Sequence, residues 1–277
     1  MNYIALSITG AVALLMLYTG MSFNLSAVKA HINRKNIKEI STLSLVNFIV
    51  IPAFAFAIYA YQPEFLNLGI AILILSVLPC APLVPSIISM TKEPCEWSVL
   101  VFIIYSFMSL VIIILLTIYF SKTGYSHNQE INNSHNMYKQ LIGYLFSVFL
   151  PLVIGALFRY YWKNASQLAI RIIRPLSSIS VLVATSMFIF VNVDKIKIIS
   201  LHEILVLIMF NFICIGLALI TGIHHRETLL TRILTTGFRN IALAIPFSLL
   251  VLGNPQVSIF ILIYALVAMV TCLASVV

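Results

Sequence analysis

Apolar runs of about twenty residues, separated by short polar breaks, follow one another along the whole of this 277-residue chain. A helix rises about 1.5 Å per residue, so about twenty apolar residues cross the roughly 30 Å hydrocarbon core of a bilayer. The pattern predicts nine spans: Tyr3 to Phe23, Leu43 to Tyr61, Leu66 to Met90, Trp97 to Phe120, Leu141 to Trp162, Leu176 to Asn192, Ile204 to Ile223, Leu229 to Leu252 and Val257 to Val277. The fold class is all-α and polytopic, a single transmembrane domain over residues 1–277. The longest connection, Ser121 to Gln140, is rich in Asn, Ser and His and reads as a solvated loop.

Composition sharpens this reading. Hydrophobic residues make up 61% of the chain and charged ones 9%, which leaves no polar stretch for a second, soluble domain. The chain runs from Met1-Asn2-Tyr3 straight into apolar sequence, with no basic n-region or small-residue cleavage site, so the first span is expected to stay in the mature protein. Cys80, Cys95, Cys214 and Cys272 stand singly, without CxxC or Cys/His spacing, and fit apolar packing better than a disulfide framework or zinc site. No metal or other cofactor is expected. The net charge of +8 could point to nucleic acid, but the basic residues cluster in short connections between spans, so no nucleic-acid partner is expected.

Charge also orients the spans. Connections 1, 3, 5 and 7 hold eleven basic residues: Lys29, Arg34, Lys35, Lys38, Lys92, Arg159, Lys163, Arg171, Arg174, Arg226 and Arg232. The opposite side holds four, Lys122, Lys139, Lys195 and Lys197. The positive-inside rule then puts the odd connections and the C-terminus in the cytoplasm and the N-terminus outside. All eight acids, Glu39, Glu64, Glu93, Glu96, Glu130, Asp194, Glu203 and Glu227, fall in connections or at span ends. Arg239 alone among the charged residues falls deep inside an apolar segment, with no acid to pair with. An ionisable residue in a membrane span is costly and usually functional.

Two spans carry interruptions. Leu78-Pro79-Cys80-Ala81-Pro82-Leu83-Val84-Pro85-Ser86 places three prolines in seven residues of span 3. Each removes a backbone donor and clashes with the preceding turn, so the helix should open near its middle. Span 8 holds Thr235-Thr236-Gly237-Phe238-Arg239-Asn240, followed by Pro246. Upstream of each stands a matching segment, Asn47-Phe48-Ile49-Val50-Ile51 and Asn211-Phe212-Ile213-Cys214-Ile215, on spans of opposite direction. Irregular backbone at membrane depth requires enclosure by protein or a wet cavity, and paired interruptions point to a transporter site on inverted repeats. Simple structural kinks are the alternative, since Pro and Gly are common in membrane helices.

Through Leu17-Tyr18-Thr19-Gly20-Met21-Ser22-Phe23, Leu45 to Pro52, the Leu78 to Ser86 break and Thr236 to Ala244, the chain resembles the bile acid:sodium symporter family. The resemblance implies a panel of spans 1, 5 and 6 and a core of spans 2 to 4 and 7 to 9, with two broken helices crossing in the core. It further implies a substrate held beside that crossing, between the domains, and alternating access by an elevator-like or rocking movement. As a divergent bacterial-type member, the protein is expected in the inner membrane.

The family's sodium positions map onto Asn47, Val84, Pro85, Thr235 and Arg239. Thr235 stands for a family Glu, Arg239 for a Gln, Val84-Pro85 for a Ser-Asn pair and Asn47 for a Gln, while Asn240 matches a family Asn near the substrate. This set weighs against sodium coupling through the family's ligands.

The candidate site is therefore Arg239, Asn240, Asn47, Thr235 and Thr236, with Pro79, Cys80, Pro82, Pro85, Ser86 and Gly237 forming the crossing. The planar guanidinium matches a carboxylate, sulfonate or phosphate, so the expected substrate is a small organic anion. Two further roles for Arg239 stay open: a tethered cation donating to freed carbonyls around Leu78 to Pro82, or a purely structural contact. Asn47 and Asn211 can equally bridge helices, and Thr235, Thr236 and Asn240 can cap freed backbone.

No acid or His lies deep in any span, and the six His sit in connections or near span ends, so neither an intramembrane hydrolase, a metal-dependent enzyme nor a bis-His haem assembles. A sodium symporter with other ligands, an arsenite-type carrier using Cys80, and a channel or sensor on the same fold are the alternatives.

Overall fold

The structure is a computed structural model, and it describes residues 2–22, 34–61, 63–88, 91, 93, 95–122, 134–222 and 228–274. Among them every regular element is helical: α1 Asn2–Ser22, α2 Arg34–Leu45, a π-helical turn Val46–Val50, α3 Ile51–Tyr61, α4 Leu66–Ser76, α5 Val84–Ile88, α6 Cys95–Lys122 and α7 Ser134–Tyr161. There follow α8 Lys163–Val191, α9 Val193–Lys197, α10 Leu201–Gly222, α11 Leu229–Gly237, α12 Ile241–Pro246, a second π-helical turn Phe247–Val251 and α13 Pro255–Ala274. A 3₁₀ turn, Pro63–Phe65, precedes α4. Among the described residues seven helices are long and apolar enough to cross a membrane, and Leu6–Ser22 and Leu66–Ser76 are shorter apolar helices. The protein is an integral, multi-pass membrane protein.

Three boundaries depart from the sequence expectation. Helix α8 begins at Lys163 rather than Leu176, because its polar first half is helical without being apolar enough to register as a span. At 29 residues it extends about 43 Å, well beyond the hydrocarbon. Helix α2 begins at Arg34 and runs through the π turn into α3, so Lys38 and Glu39 lie on the helix rather than in a loop. The Ser121 to Gln140 connection is helical at both ends, as Lys122 closes α6 and Ser134 opens α7. Its residues 123–133 lie outside the described residues, as do Lys29, Lys92, Arg226, Glu130 and Glu227.

The chain forms two compact units. The first comprises Met1–Leu25, Leu116–Ile198 and Pro246–Asn254. In it α1 packs along α7 and α8, and small residues let the backbones meet. A Cβ on Gly20 would collide with the Leu152 carbonyl oxygen, and one on Gly155 with that of Leu17. The Tyr144 ring meets Phe247 edge to face at 5.8 Å.

The second unit comprises Ser26–Leu115, Ile199–Ile245 and Pro255–Val277. Its centre is α4, buried at every position from Leu68 to Ser76, as an all-round hydrophobic helix should be. Helices α3 and α13 pack on α4, and α10 packs on α11 and α13. Of the apolar window of Leu229–Val251, 83% is buried, against 17% for Lys163–Val191 and no more than 56% for any other span. The interrupted span is thus enclosed by protein, as irregular backbone in a membrane requires.

Candidate functional site

Both predicted interruptions are present, and each supplies what the other lacks. Helix α4 stops at Ser76 and α5 starts at Val84; α11 stops at Gly237 and α12 starts at Ile241. Across the gap the Cys80 N–H donates to Thr235 O at 2.9 Å, Ala81 N–H to Phe238 O at 3.0 Å and Asn240 N–H to Leu78 O at 2.7 Å. These three bonds satisfy groups that the prolines and the break would otherwise orphan at membrane depth. Cys80 adopts φ 62°, a left-handed conformation rare outside Gly, Asn and Asp. Its place between Pro79 and Pro82 and its bond to Thr235 hold it there.

Pro79, Cys80 and Pro82 form the interruption itself, whereas Pro85 and Ser86 belong to α5. Pro85 sits in that helix's first turn, where its missing N–H removes nothing. The side chain of Ser86 lies outside the described residues. Val84 is fully buried and apolar.

Arg239 lies at the pairing and is 0% exposed. Its Nη1 donates to Asn47 Oδ1 at 3.1 Å and to Ser76 O at 3.4 Å, and its Nη2 to Cys214 Sγ at 3.2 Å. Ser76 O is a carbonyl freed where α4 ends, so the guanidinium does meet a freed carbonyl, but just upstream of the Leu78 to Pro82 stretch. Among these partners there is no carboxylate. Among the described residues the Nε hydrogen has no hydrogen-bond partner.

The neighbours are placed by their own elements. Asn47 lies in the π turn Val46–Val50, a local widening often found at functional positions. Its amide donates to Leu43 O at 3.0 Å and Thr236 Oγ1 at 3.2 Å. Thr235 donates its hydroxyl to Arg232 O at 3.2 Å. Asn240 caps α12, its Oδ1 accepting from Leu243 N at 3.2 Å. Asn211, which opens the sequence segment resembling that of Asn47, also reaches the second interruption: its Nδ2 donates to Gly237 O at 3.2 Å and Tyr264 Oη at 3.0 Å. Thr271 donates to Asn211 Oδ1 at 2.6 Å, and Tyr264 to Gly237 O at 2.6 Å. Gly237 is confined, since a Cβ there would lie 2.6 Å from Cys272 Sγ.

Cys214, Ser76 and Tyr264 escape sequence reasoning. Cys214 follows Asn211 by one helical turn and so shares its face, which is the one signal the sequence offers for it. Cys80, Cys214 and Cys272 are free thiols. Among the described residues no cluster of three or more His, Cys, Asp or Glu could hold a metal ion.

A second buried arginine corrects the expectation that Arg239 is unique. Arg232, assigned from the sequence to a connection, lies in α11 and is likewise 0% exposed. Its Nη2 donates to Glu39 Oε2 at 3.0 Å, its Nε to Thr228 Oγ1 at 3.3 Å and its Nη1 to Thr221 O at 3.3 Å. The guanidinium carbon stands 5.5 Å from the Trp97 ring centroid, within cation–π range. Glu93 caps the same helix, accepting from Leu230 N at 2.7 Å, Thr231 N at 2.8 Å and Thr231 Oγ1 at 2.7 Å. One buried guanidinium thus has a carboxylate and a bond at each nitrogen, and the other has neither.

No curated protein matches the chain. The sequence model of the Sodium Bile acid symporter family matches residues 10–213, well over half of the 277. The match takes in Asn47, the first interruption and Asn211, and ends before the second interruption. The chain belongs to the Sodium Bile acid symporter family, a family of membrane transporters.

Proposed function

We propose that this transporter carries a small organic anion by alternating access, and that Arg239 supplies the fixed positive charge that receives it. One observation carries the reading. Arg239 is a fully buried cation whose described partners, Asn47, Ser76 O and Cys214, are formally neutral. Burying an unpaired charge is costly, and a carboxylate, sulfonate or phosphate on the substrate relieves that cost through short charge-assisted bonds. The free Nε hydrogen is a donor ready for it. Asn240, Thr235, Thr236 and Asn47 surround the position and are proposed to shape it.

Sodium coupling through the family's ligand positions is not part of this reading. Val84 and Pro85 offer no side-chain oxygen, the Asn47 oxygen already accepts from Arg239, and a guanidinium repels a second cation. Facilitated transport or anion exchange remains, because arginine stays protonated and offers no proton to couple. The same reading takes the two halves as inverted repeats, with spans 1, 5 and 6 as panel and the rest as core. It is supported by the Asn47 and Asn211 counterparts, and by a first compact unit that contains α1, α7 and α8.

A second reading has its own observation: Arg239 bridges Asn47, Ser76 O and Cys214, as a pin holding the interruptions together does. The two readings part in a thermal-unfolding screen of the purified protein against organic carboxylates, sulfonates and phosphates, with and without sodium. The anion reading expects a ligand that stabilises the wild type without sodium. For Arg239→Gln, checked for folding, it expects affinity for that ligand to fall about 10- to 100-fold, as lost charge-assisted bonds of about 1.5–3 kcal/mol imply. Transport with unchanged anion affinity in Arg239→Gln leaves only the pin. Stabilisation that requires sodium overturns the uncoupled mechanism.

A further inference from the structure

The corner between α7 and α8 carries a basic face that the transport site does not use. Successive helical residues turn by about 100°, which places Lys163, Arg171 and Arg174 of α8 within one sector of about 80°. All three are exposed. A second sector, on the far side of the helix, holds Leu168, Ile172 and Ile179, exposed by 63%, 64% and 60%. A third holds Ser166 and Ser177, both buried against the protein. The first half of α8 therefore has one face for the protein, one for hydrocarbon and one in which Gln167 is flanked by the three basic residues.

The depth of this corner follows from its aromatic residues. Tyr160, Tyr161 and Trp162 stand exposed where α7 ends and α8 begins, with the Phe158 and Trp162 rings tilted together at 5.5 Å and Tyr160 and Tyr161 meeting edge to face at 5.0 Å. Exposed Tyr and Trp at the end of a span mark the level of the lipid headgroups. Arg159 adds a fourth charge and donates to Lys163 O at 3.4 Å. The sequence holds no acid between Glu130 and Asp194, so no carboxylate of this stretch competes for these cations.

We propose that Arg159, Lys163, Arg171 and Arg174 form a binding surface for anionic phospholipid headgroups, with the acyl chains lying along the Leu168 and Ile172 face. The occupant is fixed by two features together: charge complementarity to a phosphate, and an adjoining apolar face that a free phosphate has no use for.

The test uses the whole purified protein in detergent, titrated with phosphatidylglycerol and with phosphatidylcholine and read by native mass spectrometry. Wild type is expected to retain phosphatidylglycerol in preference, and added salt should weaken that preference. Each basic residue near a membrane surface contributes about a fivefold factor, so the triple variant Lys163→Gln, Arg171→Gln, Arg174→Gln should lose most of the selectivity. A control removing the same charge elsewhere, Lys122→Gln, Lys139→Gln, Lys195→Gln, should keep it. Arg171→Lys with Arg174→Lys keeps the charge and should keep the preference, even where the triple variant folds poorly. Three results overturn the proposal: a wild type without lipid selectivity, equal loss in the control, or displacement of the lipid by glycerol phosphate.

Discussion

At the residue scale, Arg232 and Arg239 lie seven positions apart in one interrupted span and live by different rules. Arg232 has the Glu39 carboxylate at 3.0 Å, the Trp97 face and a partner for each nitrogen. Removing one member of such a pair strands the other, at a cost of about 3–5 kcal/mol, while replacing both with apolar residues is often neutral. Glu39→Met is therefore expected to lower the unfolding free energy by about that amount, with Glu39→Met, Arg232→Met recovering most of it; chemical unfolding of the three proteins checks this. Equal loss in single and double variants would refute the pairing as the cause. The sequence revealed Arg239, because it falls among apolar residues, and concealed Arg232, because it lies only three residues past the start of α11. Burial at a helix end is decided by what packs there, here Trp97 and Glu39 from elsewhere in the chain, and a linear reading does not contain that.

At the scale of elements, what could be read from sequence was punctuation. Prolines at 79, 82 and 85 announce an interruption because backbone chemistry is local, and the helix stops at Ser76 as that chemistry demands. The start of α8 was hidden, because Lys163 to Pro175 mixes basic and apolar residues with a helical period but without a span's uniform hydropathy. Contacts between helices were hidden as well. Nothing in the sequence pairs Gly20 with Gly155, yet the helix of each presses a carbonyl against the other's bare Cα. Gly155→Ala should force α1 and α7 apart and cost about 1–3 kcal/mol, the range for overpacked contacts. Differential scanning of the variant in detergent should show a lowered melting temperature, whereas Gly143→Ala, where an added Cβ meets nothing within 4 Å, should leave it unchanged.

For the whole molecule, the distribution of charge predicts its direction in the membrane. With Arg232 taken out of its connection, ten basic residues remain on one side against four on the other, and the asymmetry keeps its sign. A fluorescent protein fused to the C-terminus, which matures only in the cytoplasm, is expected to glow; the same fusion to a periplasm-active phosphatase is expected to be silent. The reverse pair of results inverts the orientation.

The bonds between the two interruptions bear on how such a molecule moves. Cys80 with Thr235, Ala81 with Phe238 and Asn240 with Leu78 join stretches more than 150 residues apart in the chain, and all six residues are buried. Each amide set free there costs about 1–3 kcal/mol, so the joint resists being opened as a hinge. On the alternating access proposed above, both interruptions would travel with Arg239 as one knot, and the flexibility of the motion would lie elsewhere in the chain.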